Sequence, residues 1–175
     1  YSKPVITLIN TGAELVEVGN PLPPARIYNS NFYTLKGYLT SLGADTINGG
    51  IVEDDPDKIS KRIYDSLSAS DMIITTGGAS VGDYDWAVTA TQRLGAEILF
   101  WKVAMKPGGS ILAAVLEGKL ILSLSGNPGA AVIGLFRIAL PYIKKLCGRS
   151  DVLPQVMETV LKEPLEKESP QLRLV

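Results

Sequence analysis

A pair of glycines directly after a β-branched run is the feature of this sequence best suited to hold a ligand. Met72-Ile73-Ile74-Thr75-Thr76 runs straight into Gly77-Gly78, and the loop continues through Ser80, Gly82 and Asp83 to Asp85. Without Cβ atoms, the backbone N–H groups of such a turn can approach a phosphate closely. Ser80 adds a hydroxyl, and Asp83 and Asp85 are placed to bind a metal ion or a ribose. The same residues also describe a tight strand-to-helix turn whose acids cap the helix near Trp86. The spacing is neither a dinucleotide-binding nor a Walker fingerprint.

Three further stretches carry candidate chemistry. In Lys102-Val103-Ala104-Met105-Lys106-Pro107-Gly108-Gly109, an extended backbone puts Lys102, Ala104 and Lys106 on one face and Val103 and Met105 on the other. Two ammonium groups beside a Pro-Gly-Gly turn suit phosphate or another oxyanion, and two solvated lysines at a strand end are the alternative. Ser125-Gly126-Asn127-Pro128 follows a strand and opens a helix, so its free N–H groups and the helix dipole favour an anion. Asn127 also reads as an N-cap with Pro128 at the first helical position, and both readings hold together. Finally, Glu14 in Thr11-Gly12-Ala13-Glu14-Leu15, and Asp54 beside Asp55, supply carboxylates at strand ends. Such hard oxygen ligands suit Mg²⁺ alongside substrate phosphates. Each acid alone reads as a turn or cap residue; with two lysines and two glycine turns they outline a metal-assisted site for a phosphorylated ligand.

The elements that must position these loops alternate between strand and helix. Pro4 to Asn10 is a buried strand, and a Gly/Pro-rich loop covers Gly19 to Pro24. Asn29-Ser30-Asn31 caps a helix that runs to about Leu42 and stops at Gly43. Ala44 to Val52 is a second strand. Asp55 then caps a helix with Pro56 at its first position, and Ile59, Ile63 and Leu67 recur along one face. Met72 to Thr76 is a third, central strand. A helix from Trp86 to Leu94 precedes an extended stretch from Glu97 to Met105. Ser110 to Val115 and Leu120 to Leu124 form a hairpin around Glu117-Gly118-Lys119, and a long helix runs from Asn127-Pro128 to about Leu146.

This order predicts an α/β fold, a three-layer α/β/α sandwich on a mostly parallel mixed sheet. In such sheets ligands bind at the carboxyl ends of the strands, where the unusual residues lie. From Asp151 the chain turns polar and rich in Glu, Lys and Pro. The expected division is therefore an α/β domain over residues 1–149, with 150–175 as a linker and the start of a small β domain or a returning strand. The chain starts without methionine and breaks off in mid-pattern, which reads as a piece of a longer protein.

Composition narrows the function classes. The 175 residues carry a net charge of −1 with 20% charged and 46% hydrophobic residues, which fits one well-buried domain. Nothing here suggests a general nucleic-acid or membrane surface, so an anion must be held by a few placed groups. No stretch approaches the roughly 20 apolar residues of a membrane span. The single Cys147 fits a reducing, cytoplasmic setting. With no histidine in the chain, proton transfer must use carboxylates, lysines or water.

The motifs Thr11-Gly12-x-Glu14-Leu15, Ile27-Tyr28-x-x-Asn31, Asp54-Asp55, Gly77-Gly78-x-Ser80-Val81-Gly82-x-x-Asp85, Lys102-x-x-x-Lys106-Pro107-Gly108 and Gly126-Asn127-Pro128, in this order, resemble the MoeA family, which includes the gephyrin E domain. The resemblance covers about Pro4 to Gly148. It implies a molybdopterin molybdotransferase that takes adenylylated molybdopterin and molybdate, cleaves the adenylate with a divalent metal such as Mg²⁺, and leaves molybdenum on the dithiolene. Carried over residue by residue, it implies active-site acids at Glu14, Asp54 and Asp85, the three also serving the metal, and active-site lysines at Lys102 and Lys106. Substrate contacts are implied at Thr11, Gly12, Asn31, Gly77, Gly78, Ser80, Gly82, Asp83, Pro107, Gly108, Ser125, Gly126, Asn127 and Pro128. The implied partners are a pterin nucleotide, a second copy in a dimer of the full-length protein, and the adenylyltransferase of the same pathway.

Departures from the family pattern are Ala13 for Asp, Gly109-Ser110 for Lys-Pro, and Ser125 for Pro. They leave room for a divergent, non-catalytic binding or scaffolding module. The sister branch that adenylylates molybdopterin would show Gly-Gly-Thr-Gly followed by an Arg-Asp pair. A nucleotide-pyrophosphate hydrolase relative would show Gly-Gly-Leu-Gly-Pro-Thr. This chain has neither.

Overall fold

The computed structural model describes residues 2–78, 86–153, 157, 158, 160, 162 and 172–173. Its centre is a six-stranded sheet in the order β4-β1-β5-β9-β8-β6. The strands are β1 (Val5–Thr11), β4 (Asp45–Val52), β5 (Met72–Thr76), β6 (Glu97–Trp101), β8 (Leu112–Leu116) and β9 (Lys119–Leu124). Parallel pairing joins β4 to β1, β1 to β5 and β5 to β9; β8 pairs antiparallel with both β9 and β6. The mixed, mostly parallel sheet expected from the alternation is therefore present. Its β8–β9 hairpin turns at Glu117 (φ 51°) and Gly118 (φ 74°), two left-handed residues that match the twist of the flanking strands.

Side-chain alternation explains the three layers. Ile6 and Leu8 of β1, Met72 and Ile74 of β5, and Leu122 and Leu124 of β9 pack on one face against α1 (Ser30–Ser41) and the C-terminal helical run. Ile9, Ile73 and Ile121 face the opposite way and meet Ile59, Ile63 and Leu67 of α2 (Pro56–Leu67) and Ala90 of α3 (Trp86–Arg93). Local signals set the helix starts. The Asn29 side chain accepts from the Phe32 N–H, and that of Asp55 accepts from the Asp57 and Lys58 N–H groups, with Pro56 at the first position.

Three features depart from the expected outline. The last helix is continuous from Pro128 but changes character: α4 (Pro128–Gly134) passes through a π-helical turn (Leu135–Ala139) into α5 (Leu140–Leu146). Pro141 has no N–H for the usual bond and crowds the carbonyl four residues back, so the turn before it widens. The stretch from Glu97 to Met105 is not one strand, because β6 ends at Trp101, Lys102 takes φ 67°, and a short β7 (Met105–Lys106) begins afterwards. On either side of the expected Gly19–Pro24 loop, β2 (Leu15–Val16) and β3 (Ile27–Tyr28), for which no strand was expected, pair in parallel. Far along the chain, β10 (Leu172–Arg173) pairs in parallel with β7. Among the described residues no helix is long and apolar enough to cross a membrane.

A buried polar network ties the site edge of the sheet together. Asn10, fully buried, donates from Nδ2 to Thr76 Oγ1 at 2.6 Å and accepts at Oδ1 from Asn29 Nδ2 at 3.1 Å. Asn29 also donates to Glu17 Oε1 at 3.3 Å. Removing Asn10 takes the donor from Thr76 Oγ1 and one of the two acceptors from Asn29 Nδ2 in a buried setting. The Asn10→Ala variant is expected to lose about 2 kcal/mol of stability, read as a lower midpoint in chemical denaturation.

Candidate functional site

Because β1, β4, β5 and β9 run parallel, their carboxyl ends deliver four loops to one edge of the sheet. After β1, Gly12 donates its N–H to the Val52 carbonyl at the end of β4 (3.2 Å), so the first two loops are joined. Gly12 has φ 149°, and the Glu14 carboxylate folds back over it: a Cβ there would stand 2.7 Å from Oε2. The next N–H, of Ala13, donates to Asp54 Oδ2 at 3.3 Å. Glu14 and Asp54, two of the residues expected to carry chemistry, thus flank the same dipeptide. Asp55 caps α2, and Glu53 lies 2.6 Å from Lys58. The Glu53 carboxylate, by hydrogen bond first and charge second, raises the Lys58 ammonium above its ordinary pKa.

Beside them lies a cavity of about 540 Å³ lined by Gly12, Ala13, Leu15, Arg26, Ile51 and the acids Glu53, Asp54 and Asp55. Arg26 has no place in the sequence-level reading. It sits just after the Gly/Pro-rich loop, where neither periodicity nor a motif singles it out. Only the parallel pairing of β2 with β3 brings it beside Gly12 and Asp54.

The glycine turns are sterically required. Gly77 (φ 87°) lies so close to β1 that a Cβ would come within 2.3 Å of the Thr11 carbonyl oxygen and 2.7 Å of Thr11 Oγ1. A Cβ on Gly126 would meet the Gly77 Cα at 3.4 Å. Asn31 reaches across from α1 and donates from Nδ2 to the Gly126 carbonyl at 2.9 Å, while its buried Oδ1 has no partner among the described residues. Asn127 accepts from the Ala130 N–H and donates its own N–H to Ser125 Oγ, so the expected N-cap at Asn127-Pro128 is present. Thr11, Gly12, Asn31, Gly77, Gly78, Gly126 and Asn127 are therefore neighbours in space. Ser80, Gly82, Asp83 and Asp85 lie outside the described residues.

The lysine segment joins this edge unevenly. Gly108 (φ 91°) packs on the first turn of α4, where a Cβ would stand 3.1 Å from the Ala130 carbonyl oxygen, so the Lys106-Pro107-Gly108 turn abuts the Ser125–Pro128 loop. Lys106 is exposed there. Lys102 instead holds its Nζ 4.3 Å from the centroid of the Trp101 ring. Lys102, Ala104 and Lys106 are exposed and Met105 is buried, as the alternation implied, but the straight strand behind that reading is broken at Lys102. A left-handed residue interrupts the extended backbone, so a strict period of two does not run unbroken from Lys102 to Lys106.

The donor set fits a divalent cation in kind. The Glu14 carboxylate lies over Gly12 and that of Asp54 accepts from the Ala13 N–H, and Mg²⁺ characteristically takes one or two protein carboxylates plus substrate oxygens. Among the described residues no three acidic, histidine or cysteine side chains gather into a complete cage.

Comparison with known proteins follows the same lines. A family model described as a probable molybdopterin binding domain matches residues 7–145. A molybdopterin molybdenumtransferase of Staphylococcus aureus is 35% identical over 173 residues, 99% of this chain and 41% of that protein. Its counterpart from Staphylococcus epidermidis is 36% identical over the same span. The chain covers 41% of the length of each of these curated relatives. The crystal structure of the molybdopterin biosynthesis MoeA protein from Pyrococcus horikosii superposes with a TM-score of 0.77 at 28% identity, covering 84% of this chain and 36% of that one.

One departure in the lysine segment has a steric reason. The Gly109 carbonyl accepts from the Val103 N–H at 2.9 Å, and a Cβ on Gly109 would stand 2.6 Å from the Met105 carbonyl oxygen and 2.8 Å from that of Val103. Both obstacles are backbone. Gly109→Lys is therefore expected to destabilise the chain by about 1–3 kcal/mol rather than add a working cation, measured by thermal and chemical denaturation.

Proposed function

The chain belongs to the molybdopterin-binding domain family, and on that premise we propose that it is the central domain of a molybdenum-inserting transferase. In this reading residues 1–149 bind adenylylated molybdopterin, and residues 150–175 lead into the next domain. The full-length protein is a cytoplasmic homodimer that takes molybdate, releases AMP and leaves molybdenum on the dithiolene. The observation that carries the reading is the pairing of Glu14 and Asp54 around Gly12–Ala13 at the carboxyl edge of a sheet whose relatives are molybdopterin molybdenumtransferases.

The chemistry divides among the residues by type. Glu14, Asp54 and Asp85 supply oxygen ligands for a divalent cation and orient the attacking oxygen, from molybdate or water, toward the adenylate phosphorus. A bound divalent cation would offset charge on the phosphate oxygens. The bond that breaks joins the AMP phosphorus to the bridging oxygen, and that oxygen stays with the molybdopterin phosphate. Lys106 and Lys102 neutralise charge that develops on phosphate and molybdate. The turns at Gly77-Gly78 and Gly126-Asn127-Pro128 hold the pterin nucleotide through backbone N–H groups, with Asn31 fixing the second turn. Proton transfers use carboxylates, lysines or water, since the chain has no histidine.

A non-catalytic binding module is the second reading, favoured by Ala13, which lines the cavity between two acids without adding one. Replacing Asp85 or Asp54 with alanine in the full-length protein separates the two. Cofactor assembly in a host lacking its own enzyme is expected to fall at least 100-fold, a scale typical of lost catalytic groups. Unchanged assembly by both variants would leave only the binding module. Residues Tyr1–Val175 alone are expected to bind the pterin nucleotide but to turn it over poorly; efficient molybdenum insertion by this piece in a purified assay would contradict that.

A further inference from the structure

Resting on the transferase reading, we infer that Arg26 is the specificity-determining residue for a tetrahedral oxyanion in the cavity beside Asp54. Four charged residues line that cavity: Arg26, Glu53, Asp54 and Asp55. Three are committed. Glu53 pairs with Lys58, Asp55 caps α2, and Asp54 accepts the Ala13 N–H through Oδ2. Among the described residues, the Arg26 side chain makes no hydrogen bond or ion pair.

Its backbone is nevertheless held firmly. The Arg26 N–H donates to the Pro23 carbonyl at 3.3 Å, the Ile27 N–H donates to the Glu14 carbonyl at 2.9 Å, and β3 pairs with β2 from Ile27 onward. The residue before it, Ala25, sits at φ 58°, a left-handed conformation that alanine seldom adopts. The turn thus leaves at the cavity wall a forked, permanently charged donor that is uncommitted among the described residues. A guanidinium presents parallel N–H groups that match two oxygens of a phosphate or molybdate. The three carboxylates that share the cavity reject a bare anion. The occupant that suits both kinds of group is therefore an oxyanion accompanied by a divalent cation, with the cation toward Asp54 and the remaining oxygens toward Arg26.

Two anions share this chemistry, molybdate and the phosphate of the nucleotide, and separate titrations tell them apart. The experiment uses the full-length protein in Mg²⁺ buffer, as wild type, Arg26→Ala, Arg26→Lys and Asp54→Ala. Molybdate and inorganic phosphate are titrated by calorimetry, and KM and kcat for molybdate are measured in the transfer reaction. Arg26→Ala should weaken one anion roughly 10- to 100-fold, the range of a charge-assisted bidentate contact. The thermal midpoint should stay unchanged, because the side chain is exposed. A rise in KM with kcat within about two-fold, partly reversed in Arg26→Lys, is expected if that anion is molybdate. Loss confined to inorganic phosphate assigns the cavity to the nucleotide and equally supports an oxyanion site. Unchanged affinity for both anions in Arg26→Ala, or no binding of either by the wild type, overturns the inference. If Asp54→Ala then still abolishes transfer, the transferase reading stands without it; if Arg26→Ala weakens binding while Asp54→Ala leaves transfer intact, it is the transferase reading that fails.

Discussion

A buried amide has four hydrogen-bonding positions and no water to satisfy them, and the Asn10 side chain stands in that position at the end of β1. Its donor goes to Thr76 on β5 and its acceptor to Asn29 at the start of α1, so two strands and a helix are held in one arrangement. That arrangement brings the turn after β5 against β1 so closely that Gly77 has no room for a Cβ beside the Thr11 carbonyl. Gly126 then lies against Gly77, and Asn31 fastens the Gly126 carbonyl to α1. The backbone of the two glycine turns is the outer layer of a set of contacts that begins with one amide in the core. Low dielectric around that amide makes its bonds strong and their loss costly, which is why the edge behaves as one unit.

Charge at this edge is local. A net charge of −1 provides no general field, so ions must be handled by side chains placed within a few ångströms of them. Each described acid has a defined local role: Glu14 folded over Gly12, Asp54 on the Ala13 N–H, Asp55 on the start of α2, Glu53 on Lys58. Holding a carboxylate in position removes rotamer freedom before a ligand arrives, and preorganisation of this kind makes electrostatic stabilisation effective. Departures from the family pattern also take on physical meaning. Gly109 is hemmed in by two backbone carbonyls, so its lack of a side chain belongs to the fold of this copy. Nothing in the structure explains Ala13 in the same way, because its side chain is exposed at the cavity wall.

Much of the outline was legible from residues alone, for reasons that are local. Asn29, Asp55 and Asn127 cap helices because a short side chain can reach N–H groups two or three residues ahead in any context. Ile59, Ile63 and Leu67 share a face because helical geometry puts them there. Glu117-Gly118 turns a hairpin because both residues must take positive φ. Motif order was legible too, and it placed Glu14, Asp54 and the glycine turns at one edge before any distance was known.

The diglycine turn, the helix caps and the strand alternation follow from the residues alone, since each depends on neighbours within a few positions of one another. Tertiary structure alone decided which of those groups meet. It brought Asp54 to the Ala13 N–H, next to the Glu14 carboxylate folded over Gly12, and carried Arg26 to the cavity through a two-residue parallel pairing. Such contacts join residues 10 to 40 positions apart or more. They arise from how loops close around a twisted sheet, and no local period encodes that closure.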